Sequence, residues 1–576
     1  MEPLMSAFPA MSLAQAHALM CRPGSPFEVG EAEIRGVTTK VWKNAPPTLR
    51  EVFLMGRAHG ARDFLIHEDE RTDFEGFARA TLAVAHALIA DGVKPGDRVA
   101  IAMRNLPEWP AAYFGAVLAG AVATPLNAWW TGQELVYALQ DSGAKLLIAD
   151  AQRLERLAGR LDSCPTLERV WVARTDEGPG LPRLRRFEDV TGPVNDWGAL
   201  PDRPLPAVEL TPETDSSLFY TSGTTGRPKG AMGTHRAAVT TLMNTAFSAA
   251  RVHVRRGEAV PEPKPEDPQK GLLASIPFFH TTGCQALMTA AFVQGAKLAI
   301  QRRWEPAEAM AIIARERLTH AGGVPTIAWQ LIEHPDLAEH DLSSLVNVAY
   351  GGAPAAPELV RRIRKALPGA IAASGWGMTE TTATFTHHQG EDYEHRPGSC
   401  GPAFPVGEMR IVGSDGFDQP VGEIGELWVK GPNVVSGYWN NPDATAATFV
   451  DGWLKTGDLA RLDEEGFCYI VDRAKDMLIR GGENIYCVEV EDVLYEHPAV
   501  VDAALVGLPH QVLGEEPAAV VTVRPGAEVD EAAMRAFVAE RLAAFKVPTR
   551  VLFWHEPLPR NANGKILKPE LQKLFL

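Results

Sequence analysis

Apolar and polar positions alternate along much of the chain in blocks that predict helices separated by short strands. Residues 79–92 (RATLAVAHALIADG) carry a helical pattern that stops at Gly92, and the apolar run at 98–103 (RVAIAM) predicts the strand that follows. Further strands are predicted at 144–149, 169–173 and 296–300. Because strands that alternate with helices favour parallel sheets covered by helices, we expect an α/β fold.

The pattern changes near residue 400. Short apolar segments with Gly and Asp between them (EMRIVG, GELWVKG and FCYIVD) predict a small antiparallel β unit at about 400–471. A polar stretch at 472–476 is followed by a compact order of helix, strand, strand, helix and strand. We therefore expect a large N-terminal body of several subdomains at 1–471, which includes the β unit, and a small α+β C-terminal domain at 472–576.

Charge and composition exclude several classes of partner. The 576 residues carry a formal net charge of −16, which disfavours nucleic acid and anionic membranes, so an anionic ligand needs a local positive site. The most apolar stretch (111–123) is shorter than the ~20 residues of a membrane-spanning helix, so we expect a buried helix rich in small residues and no transmembrane segment. The six cysteines are scattered without a CxxC pair, which favours a reducing cytoplasm.

Residues 220–230 (YTSGTTGRPKG) combine backbone freedom with many hydrogen-bond donors. The donors are the N–H groups freed by Gly223, Gly226 and Gly230 and the hydroxyls of Thr221, Ser222, Thr224 and Thr225. Lys229 adds a positive charge. A Walker A loop is excluded, because Pro228 stands five residues after Gly223 and no GK[ST] follows. The stretch therefore predicts a loop that wraps phosphate oxygens.

This loop resembles the signature of adenylate-forming enzymes, the group of acyl-CoA synthetases, peptide-synthetase adenylation domains and luciferases. Seven further segments resemble motifs of that family in the same order: PFFHTTG (277–283), YGGAP (350–354), GWGMTE (375–380), KTGDLA (455–460), DRAKD (472–476), GGENIYCVEVE (481–491) and PRNANGKILK (559–568). The resemblance implies a mobile C-terminal domain with its hinge at 472–476. It also implies that ATP and Mg²⁺ activate a carboxylic acid to acyl-AMP, which coenzyme A (CoA) then converts to a thioester.

The resemblance assigns roles to individual residues. The implied catalytic residues are Lys229, His280, Thr379, Glu380 and Lys565. The implied ATP- and AMP-binding residues are Thr221, Ser222, Gly223, Thr224, Thr225, Lys229, Gly352, Ala353, Pro354, Gly375, Trp376, Gly377, Met378, Thr379, Asp458, Arg473 and Lys565. Mg²⁺ would be held by Glu380 and Thr221, since this ion prefers oxygen ligands. The implied CoA-binding residues are Lys475, Gly481, Gly482 and Glu483, and the implied acyl pocket consists of His280, Gly283, Cys284, Tyr350 and Gly351.

The implied chemistry depends most on Lys565, whose ammonium would offset charge between the acid carboxylate and the α-phosphate. Asp458 would accept hydrogen bonds from both ribose hydroxyls. Trp376 stands where the family usually has Tyr, so it keeps a flat face for stacking on adenine and loses the phenol. Cys487 stands where many relatives have Pro, and Lys475 is the implied hinge residue.

The segments FFHTTGCQALM and RRWEPAEAM resemble bacterial fatty-acyl-CoA ligases most, which implies a medium- or long-chain fatty acid as the substrate. In some long-chain relatives the fourth residue after the corresponding His is a bulky gate to the acyl tunnel. Cys284 stands at that position, four residues after His280, and its small side chain suggests an open tunnel. Aryl-acid CoA ligases are the nearest alternative. An acyl-AMP ligase that loads a carrier protein, a luciferase-like oxygenase and a non-catalytic nucleotide-binding sensor stay open, as does a homodimer.

Residues 386–398 (THHQGEDYEHRPG) gather side chains that often bind metals. The six are His387, His388, Glu391, Asp392, Glu394 and His395. Their spacing matches no standard zinc pattern, and Gly and Pro interrupt the stretch. We therefore expect a solvated loop here rather than a metal site.

Overall fold

The computed structural model describes residues 8–175, 184–221, 227–262, 264, 266–353, 355–524, 526–561 and 564–575. The helices are α1 (Leu13–Met20), α2 (Leu49–Arg57), α3 (Phe74–Ala90), α4 (Glu108–Leu118), α5 (Gly132–Ser142), α6 (Ala151–Arg156), α7 (Glu188–Thr191), α8 (His235–Arg255), α9 (Thr289–Val293), α10 (Pro306–Glu316), α11 (Pro325–Ile332), α12 (Glu358–Ala366), α13 (Glu391–His395), α14 (Pro442–Thr448), α15 (Cys487–Glu496), α16 (Glu531–Ala539) and α17 (Lys568–Gln572).

The strands of the N-terminal two thirds are β1 (Val29–Ile34), β2 (Val37–Trp42), β3 (Asp63–His67), β4 (Glu70–Asp73), β5 (Arg98–Ala102), β6 (Val122–Pro125), β7 (Leu146–Asp150), β8 (Arg169–Ala173), β9 (Leu184–Arg186), β10 (Asp215–Tyr220), β11 (Gly230–Thr234), β12 (Gly271–Ala274), β13 (Lys297–Ile300), β14 (His320–Gly323), β15 (Asn347–Gly351), β16 (Ile371–Trp376) and β17 (Thr386–Gln389). The remaining strands are β18 (Gly401–Pro402), β19 (Glu408–Val412), β20 (Gly425–Lys430), β21 (Phe449–Val450), β22 (Trp453–Leu462), β23 (Phe467–Arg473), β24 (Leu478–Arg480), β25 (Glu483–Ile485), β26 (Val500–His510), β27 (Gly514–Val523) and β28 (Arg550–Phe553).

Two sheets form the large body. The first has the order β11-β10-β6-β5-β7-β8-β9 and is parallel except for the β10–β11 pair. The second has the order β17-β16-β15-β14-β12-β13-β3-β4 and is parallel except for the pairs at its two ends. One apolar core joins them through α3 and α4. This arrangement confirms the expected α/β class.

Local sequence explains why α3 begins and ends where it does. The side chain of Asp73 accepts a hydrogen bond from the Gly76 N–H at 2.6 Å and so caps the first turn. After the helix, Gly92 has φ +91°, a conformation that favours glycine. Gly115 of α4 lies so close to Val84 of α3 that a Cβ would overlap it. The two helices can therefore pack at this distance because position 115 has no side chain.

The predicted strands are confirmed, but the stretch at 111–123 is not one helix. Helix α4 ends at Leu118, Gly120 has φ +77°, and β6 begins at Val122 as a buried strand of the first sheet. Small apolar residues fit a buried helix and a buried parallel strand equally well, so the pattern alone could not separate the two. None of the described helices is long and apolar enough to span a bilayer.

The last third contains two smaller units. The third sheet, β18-β23-β22-β20-β19 with β21 on β22, is antiparallel and confirms the predicted β unit. The order α15, β26, β27, α16 and β28 confirms the predicted pattern of the C-terminal unit. At the junction, Asp472 accepts hydrogen bonds from the Arg473 N–H at 2.7 Å and the Cys487 N–H at 2.5 Å. The division of the chain at residue 472 and the mobility of the C-terminal unit stay predictions.

The expectation of a solvated loop at 386–398 is wrong. Strand β17 pairs with β16, α13 follows, and His388 and Asp392 are buried. Asp392 accepts hydrogen bonds from Arg255, with Oδ1 and Nη2 2.7 Å apart, so the buried carboxylate has an equally buried cation beside it. Polar side chains of this stretch can be buried because α8, which is far away in the chain, supplies a partner for them. Among the described residues, no cluster of three or more His, Cys, Asp or Glu side chains could hold a metal ion.

Candidate active site

A cavity of about 1230 Å³ lies at the carboxyl ends of β14, β15 and β16, where parallel sheets commonly bind ligands. Two parts of the cavity differ in their lining. The nucleotide end is lined by Lys229, Trp376, Glu380, Gly457, Arg473 and Lys565. The side arm runs between α8 and the second sheet and is lined by Ala246, Ala249, Leu272, Ile276, Ala286, Leu287, Ala290, His320, Asn347, Ala349, Ala373 and Gln389.

Trp376, Asp458 and Arg473 meet at the nucleotide end. The indole Nε1–H of Trp376 donates to Asp458 Oδ2 at 2.8 Å, and the Arg473 guanidinium lies 3.3 Å from Oδ1. Asp458 and Arg473 are register partners on β22 and β23, which fixes this pair. Burial raises the pKa of Asp458, while Arg473 acts in the opposite direction. Asp458 is absent from the described lining of the cavity, although its neighbour Gly457 is part of it, and the bonds of Asp458 to a ribose stay a prediction.

Lys565 reaches the same end of the cavity from the C-terminal unit, 92 residues after Arg473 in the chain. Its backbone is held in a turn, because the Lys565 N–H donates to Asn561 Oδ1 at 3.0 Å and the Asn561 N–H donates to the Lys565 carbonyl at 2.9 Å. Burial, with Arg473 as the next cause, lowers the pKa of Lys565 to about 8. The structure thus brings together the two parts of the chain that the motifs at 455–476 and 559–568 predict to meet.

Glu380 has a partner that the sequence did not reveal. The Tyr438 hydroxyl donates to Glu380 Oε1 at 2.6 Å, and Lys229 Nζ lies 4.9 Å from the centre of the Tyr438 ring. Burial raises the pKa of Glu380, and the hydrogen bond from Tyr438 acts in the opposite direction. No local signal identifies Tyr438, because it follows the motif GWGMTE by 58 positions and stands in an irregular segment.

Of the loop predicted to bind phosphate, the structure describes only the two ends. The Thr221 N–H donates to the Lys229 carbonyl at 2.8 Å, and the Lys229 N–H donates to Thr221 Oγ1 at 3.3 Å, so both residues line the cavity beside each other. Ser222, Gly223, Thr224, Thr225 and Pro354 lie outside the described residues. Of the other predicted nucleotide-binding residues, Gly352, Gly375, Gly377, Met378 and Thr379 line the cavity and Ala353 does not.

The predicted acyl residues divide into two groups. His280, Tyr350 and Gly351 line the cavity, and burial lowers the pKa of His280 to about 4, so its imidazole is neutral near pH 7. Gly283 and Cys284 are absent from the described lining, and Cys284 is fully buried in the core of the body. The reason is the π-helical turn Thr282–Met288, which turns Ala286 and Leu287 toward the cavity instead. The proposed open gate at Cys284 therefore does not match the structure.

The predicted CoA residues lie away from this cavity. Gly481 and Gly482 form the tight turn between β24 and β25 with φ +62° and +91°, and Lys475, Gly481, Gly482 and Glu483 are not part of the cavity lining. Lys475 is exposed, and partial desolvation of its ammonium lowers its pKa. The orientation seen here therefore presents Lys565, and not the β24–β25 turn, to the nucleotide end.

The donor set at the nucleotide end fits a magnesium ion that is shared with phosphates. Glu380 supplies one buried carboxylate and Thr221 a hydroxyl, which agrees with the preference of Mg²⁺ for one or two carboxylates together with phosphate oxygens and water. Lys229, Arg473 and Lys565 bring positive charge to the same end. Such a site can hold a polyphosphate in a protein with a net charge of −16.

Comparisons with known proteins agree with this geometry. The family model "AMP-binding enzyme" matches residues 55–439, and "AMP-binding enzyme C-terminal domain" matches residues 489–565. A long-chain-fatty-acid–CoA ligase of Bacillus subtilis (strain 168) is 32% identical over 525 residues, which cover 87% of this chain and 90% of that protein.

A ligase of Mycobacterium tuberculosis named for 3-[(3aS,4S,7aS)-7a-methyl-1,5-dioxo-octahydro-1H-inden-4-yl]propanoyl:CoA is 36% identical over 524 residues, covering 88% of this chain and 95% of that protein. Among solved structures, the anthranilate CoA ligase AuaEII in complex with anthranoyl-AMP superposes with a TM-score of 0.81 at 27% identity. That superposition covers 92% of this chain and 98% of the other.

Proposed function

The chain belongs to the family of AMP-binding enzymes, and we propose that it converts a large apolar carboxylic acid, of the medium- or long-chain fatty acid class, to its CoA thioester. An AMP-forming acid–thiol ligase of this kind uses ATP and CoA. The observation that carries the proposal is the cavity that joins a cationic nucleotide end to a mostly apolar side arm. All six cysteines are free thiols, which supports the reducing cytoplasm as the compartment.

In the first step, a carboxylate oxygen of the acid attacks the α-phosphorus of ATP. The new P–O bond forms as the bond to the bridging oxygen breaks, and pyrophosphate leaves. Lys565 would lie between the two anions and offset their repulsion, while Lys229 and Thr379 would hold phosphate oxygens. His280 would line the path of the carboxylate as a neutral imidazole, because burial holds its pKa at about 4.

Glu380 and Thr221 would hold Mg²⁺, which supplies charge neutralisation on the phosphates when bound. The Tyr438 hydroxyl stabilises the ionised form of Glu380, which is the form that can bind a cation. Trp376 would stack on adenine, and Asp458 with Arg473 would bind the ribose. The two groups on Asp458, the indole N–H and the guanidinium, fix its orientation before a nucleotide arrives.

In the second step, the sulfur of CoA attacks the acyl carbon and AMP leaves. Because the β24–β25 turn lies outside the cavity while Lys565 lies within it, we propose that the C-terminal unit rotates about Lys475 between the steps. A Lys475→Pro variant should form acyl-AMP and fail to make thioester. Thioester formation at the normal rate by this variant would contradict the rotation.

The fatty acid assignment is supported by the apolar lining of the side arm and by the similarity to the Bacillus subtilis long-chain ligase. The similarity to the anthranilate ligase keeps an aryl acid as the second candidate. A screen of short-chain, long-chain and aromatic acids, with AMP release measured with and without CoA, separates the two. We expect the largest kcat/KM for a long aliphatic acid.

The same screen tests the proposed activity itself. Exchange of pyrophosphate into ATP without thioester formation would favour transfer to a carrier protein, and nucleotide binding without exchange would favour a sensor. Lys565→Met should lower exchange by about a hundred- to a thousandfold, because it removes the ammonium from the nucleotide end. Lys145→Met is the matched control, since Lys145 forms a surface ion pair with Glu168 at 2.5 Å outside the cavity lining. Light emission with a luciferin would point instead to an oxygenase.

A further inference from the structure

The floor of the side arm is one face of the second sheet, and its character changes along the strands. At the nucleotide end this face carries Gly322, Ala349, Gly351, Ala373 and Gly375, which are register partners across β14, β15 and β16. These residues leave a smooth apolar surface. Further from the nucleotide end, toward the amino ends of the strands, the same face carries three polar side chains.

The three polar side chains, which we call the polar row, are those of His320, Asn347 and Gln389. His320 and Asn347 are register partners on β14 and β15, and Gln389 reaches Asn347 from β17. Asn347 Nδ2 donates to Gln389 Oε1 at 3.1 Å, and Gln389 Nε2 donates to the Ser248 carbonyl of α8 at 3.3 Å. These bonds hold the row in one arrangement and tie it to the helix that covers the arm.

The row has hydrogen-bonding capacity that the protein does not use. His320 Nδ1 is paired with Thr319 Oγ1 at 2.8 Å, which leaves Nε2 without a partner among the described residues. Oδ1 of Asn347 likewise has no partner within the described part of the chain, although only 7% of this residue is exposed. Neither atom is among the buried unpaired atoms of the described residues, because both residues line the cavity. A ligand that displaces water from this part of the cavity must replace the lost hydrogen bonds, so the row is suited to a ligand that can do so.

We propose that the polar row (His320, Asn347 and Gln389) binds a hydroxyl group on the acid, and that the enzyme therefore prefers hydroxylated over plain aliphatic acids. This inference rests on the proposed function, which places the carboxyl group at the nucleotide end. Gly351 and Asn347 are four residues apart on β15, which is roughly 13 Å at ~3.3 Å per residue. The hydroxyl would thus lie far from the carboxyl group, near the distal end of a medium-length chain.

A hydroxyl fits this site better than a carbonyl or a charged group. It can donate to Asn347 Oδ1 or to His320 Nε2 and can also accept, so it matches the imidazole in either neutral tautomer. Burial, with Lys270 as the second cause, lowers the pKa of His320 to about 4, so the three side chains of the row are uncharged near pH 7. A plain alkyl chain would displace water from the same polar atoms and leave them without hydrogen bonds.

The test measures CoA-dependent AMP release with lauric acid and with its ω-hydroxylated counterpart. The same comparison is made for the next shorter and the next longer acid. We expect the wild-type enzyme to favour the hydroxylated acid by about tenfold in kcat/KM in the pair that best spans the arm. Asn347→Leu, which keeps the volume of the side chain, should reduce this ratio to near one. His320→Leu is a second variant with the same expected loss and covers the case in which Asn347→Leu does not fold.

Gln140→Leu is the matched control, because Gln140 is an exposed residue of α5 outside the cavity lining whose side-chain amide donates to the Ser163 carbonyl. This variant should keep the wild-type ratio. Equal use of the two acids by an active wild-type enzyme, or an unchanged ratio in both row variants, would overturn the inference and leave the proposed function standing. Higher activity with the ω-carboxylated acid than with the hydroxylated one would overturn it as well. Absence of AMP release with every acid would overturn both.

Discussion

Tyr438→Phe removes one hydroxyl from the wall of the nucleotide end and leaves the aromatic ring in place. In the wild-type protein this hydroxyl donates to Glu380 Oε1 at 2.6 Å, and Lys229 Nζ lies 4.9 Å from the ring centre. The variant therefore keeps the cation–π contact and loses the donor. Burial already raises the pKa of Glu380, and the hydrogen bond from Tyr438 opposes that rise. Its loss should make the carboxyl group harder to ionise.

The size of the effect follows from the charge on the acceptor. A hydrogen bond to a charged group contributes about 1.5–3 kcal/mol, which corresponds to about a ten- to hundredfold change in an equilibrium. A protonated Glu380 cannot bind Mg²⁺, so we expect pyrophosphate exchange at limiting Mg²⁺ to fall by up to about that factor, and to fall most at low pH. Because the ionised form is gained as pH rises, the variant should recover part of its activity at higher pH and at higher Mg²⁺ concentration.

The assay is acid-dependent exchange of pyrophosphate into ATP, measured from acidic to mildly alkaline pH at several Mg²⁺ concentrations. Tyr469→Phe is the control, because Tyr469 donates to Asp463 Oδ2 at 3.3 Å in the same β unit and is absent from the described lining of the cavity. If Tyr438→Phe had the pH profile and the Mg²⁺ dependence of the wild type, the assigned link between Tyr438 and the metal-binding carboxylate would be refuted.

Three further predictions concern both ends of the cavity. Lys565→Ala should lower acyl-AMP formation by about a hundred- to a thousandfold and spare thioester formation from supplied acyl-AMP, and equal loss in both assays would contradict its assigned step. Since burial lowers the pKa of Lys565 to about 8, the ammonium is lost above that pH and kcat/KM for ATP should decline there. Lys565→Arg should remove this decline, and a decline that persists would assign it to another group. Ala246→Phe adds bulk to the side arm, so the acid with the highest kcat/KM should become shorter, while the KM for ATP stays the same. If the variant preferred the same acids as the wild type, the acyl chain would have to bind outside the side arm.

Apolar runs predicted several strands of the two large sheets, the β unit and the order of the C-terminal unit, because such runs are properties of neighbouring residues. The meeting of Lys565 with the nucleotide end was implied only by the resemblance of its motif to the adenylate-forming family. Strand β6 was misassigned because Ala, Val and Gly in 111–123 fit a buried helix as well as a buried strand. The stretch 386–398 was misassigned because Arg255 forms an ion pair with a buried carboxylate of this stretch. The sequence of 386–398 alone does not indicate that partner.

Two features of the site had no local signal. The polar row arises only when strand register brings His320, Asn347 and Gln389 to one face, and each alone is an ordinary polar residue in a strand. The π-helical geometry of the turn Thr282–Met288 decides which of its side chains face the cavity. The spacing of an ordinary α-helix does not predict that geometry. The choice of Cys284 as the gate failed for that reason.

The glycines on the floor of the side arm determine where the substrate range of this enzyme can change. A Cβ on Gly322 would overlap the Ala349 carbonyl oxygen, and one on Gly375 would lie 2.7 Å from the Thr386 carbonyl oxygen. Both obstacles are main chain within the sheet, so they cannot rotate away as a side chain could. Natural drift and laboratory evolution toward new acids should therefore accumulate in the polar row and in the roof formed by α8 and the π-helical turn, while the glycine positions of the floor stay constant.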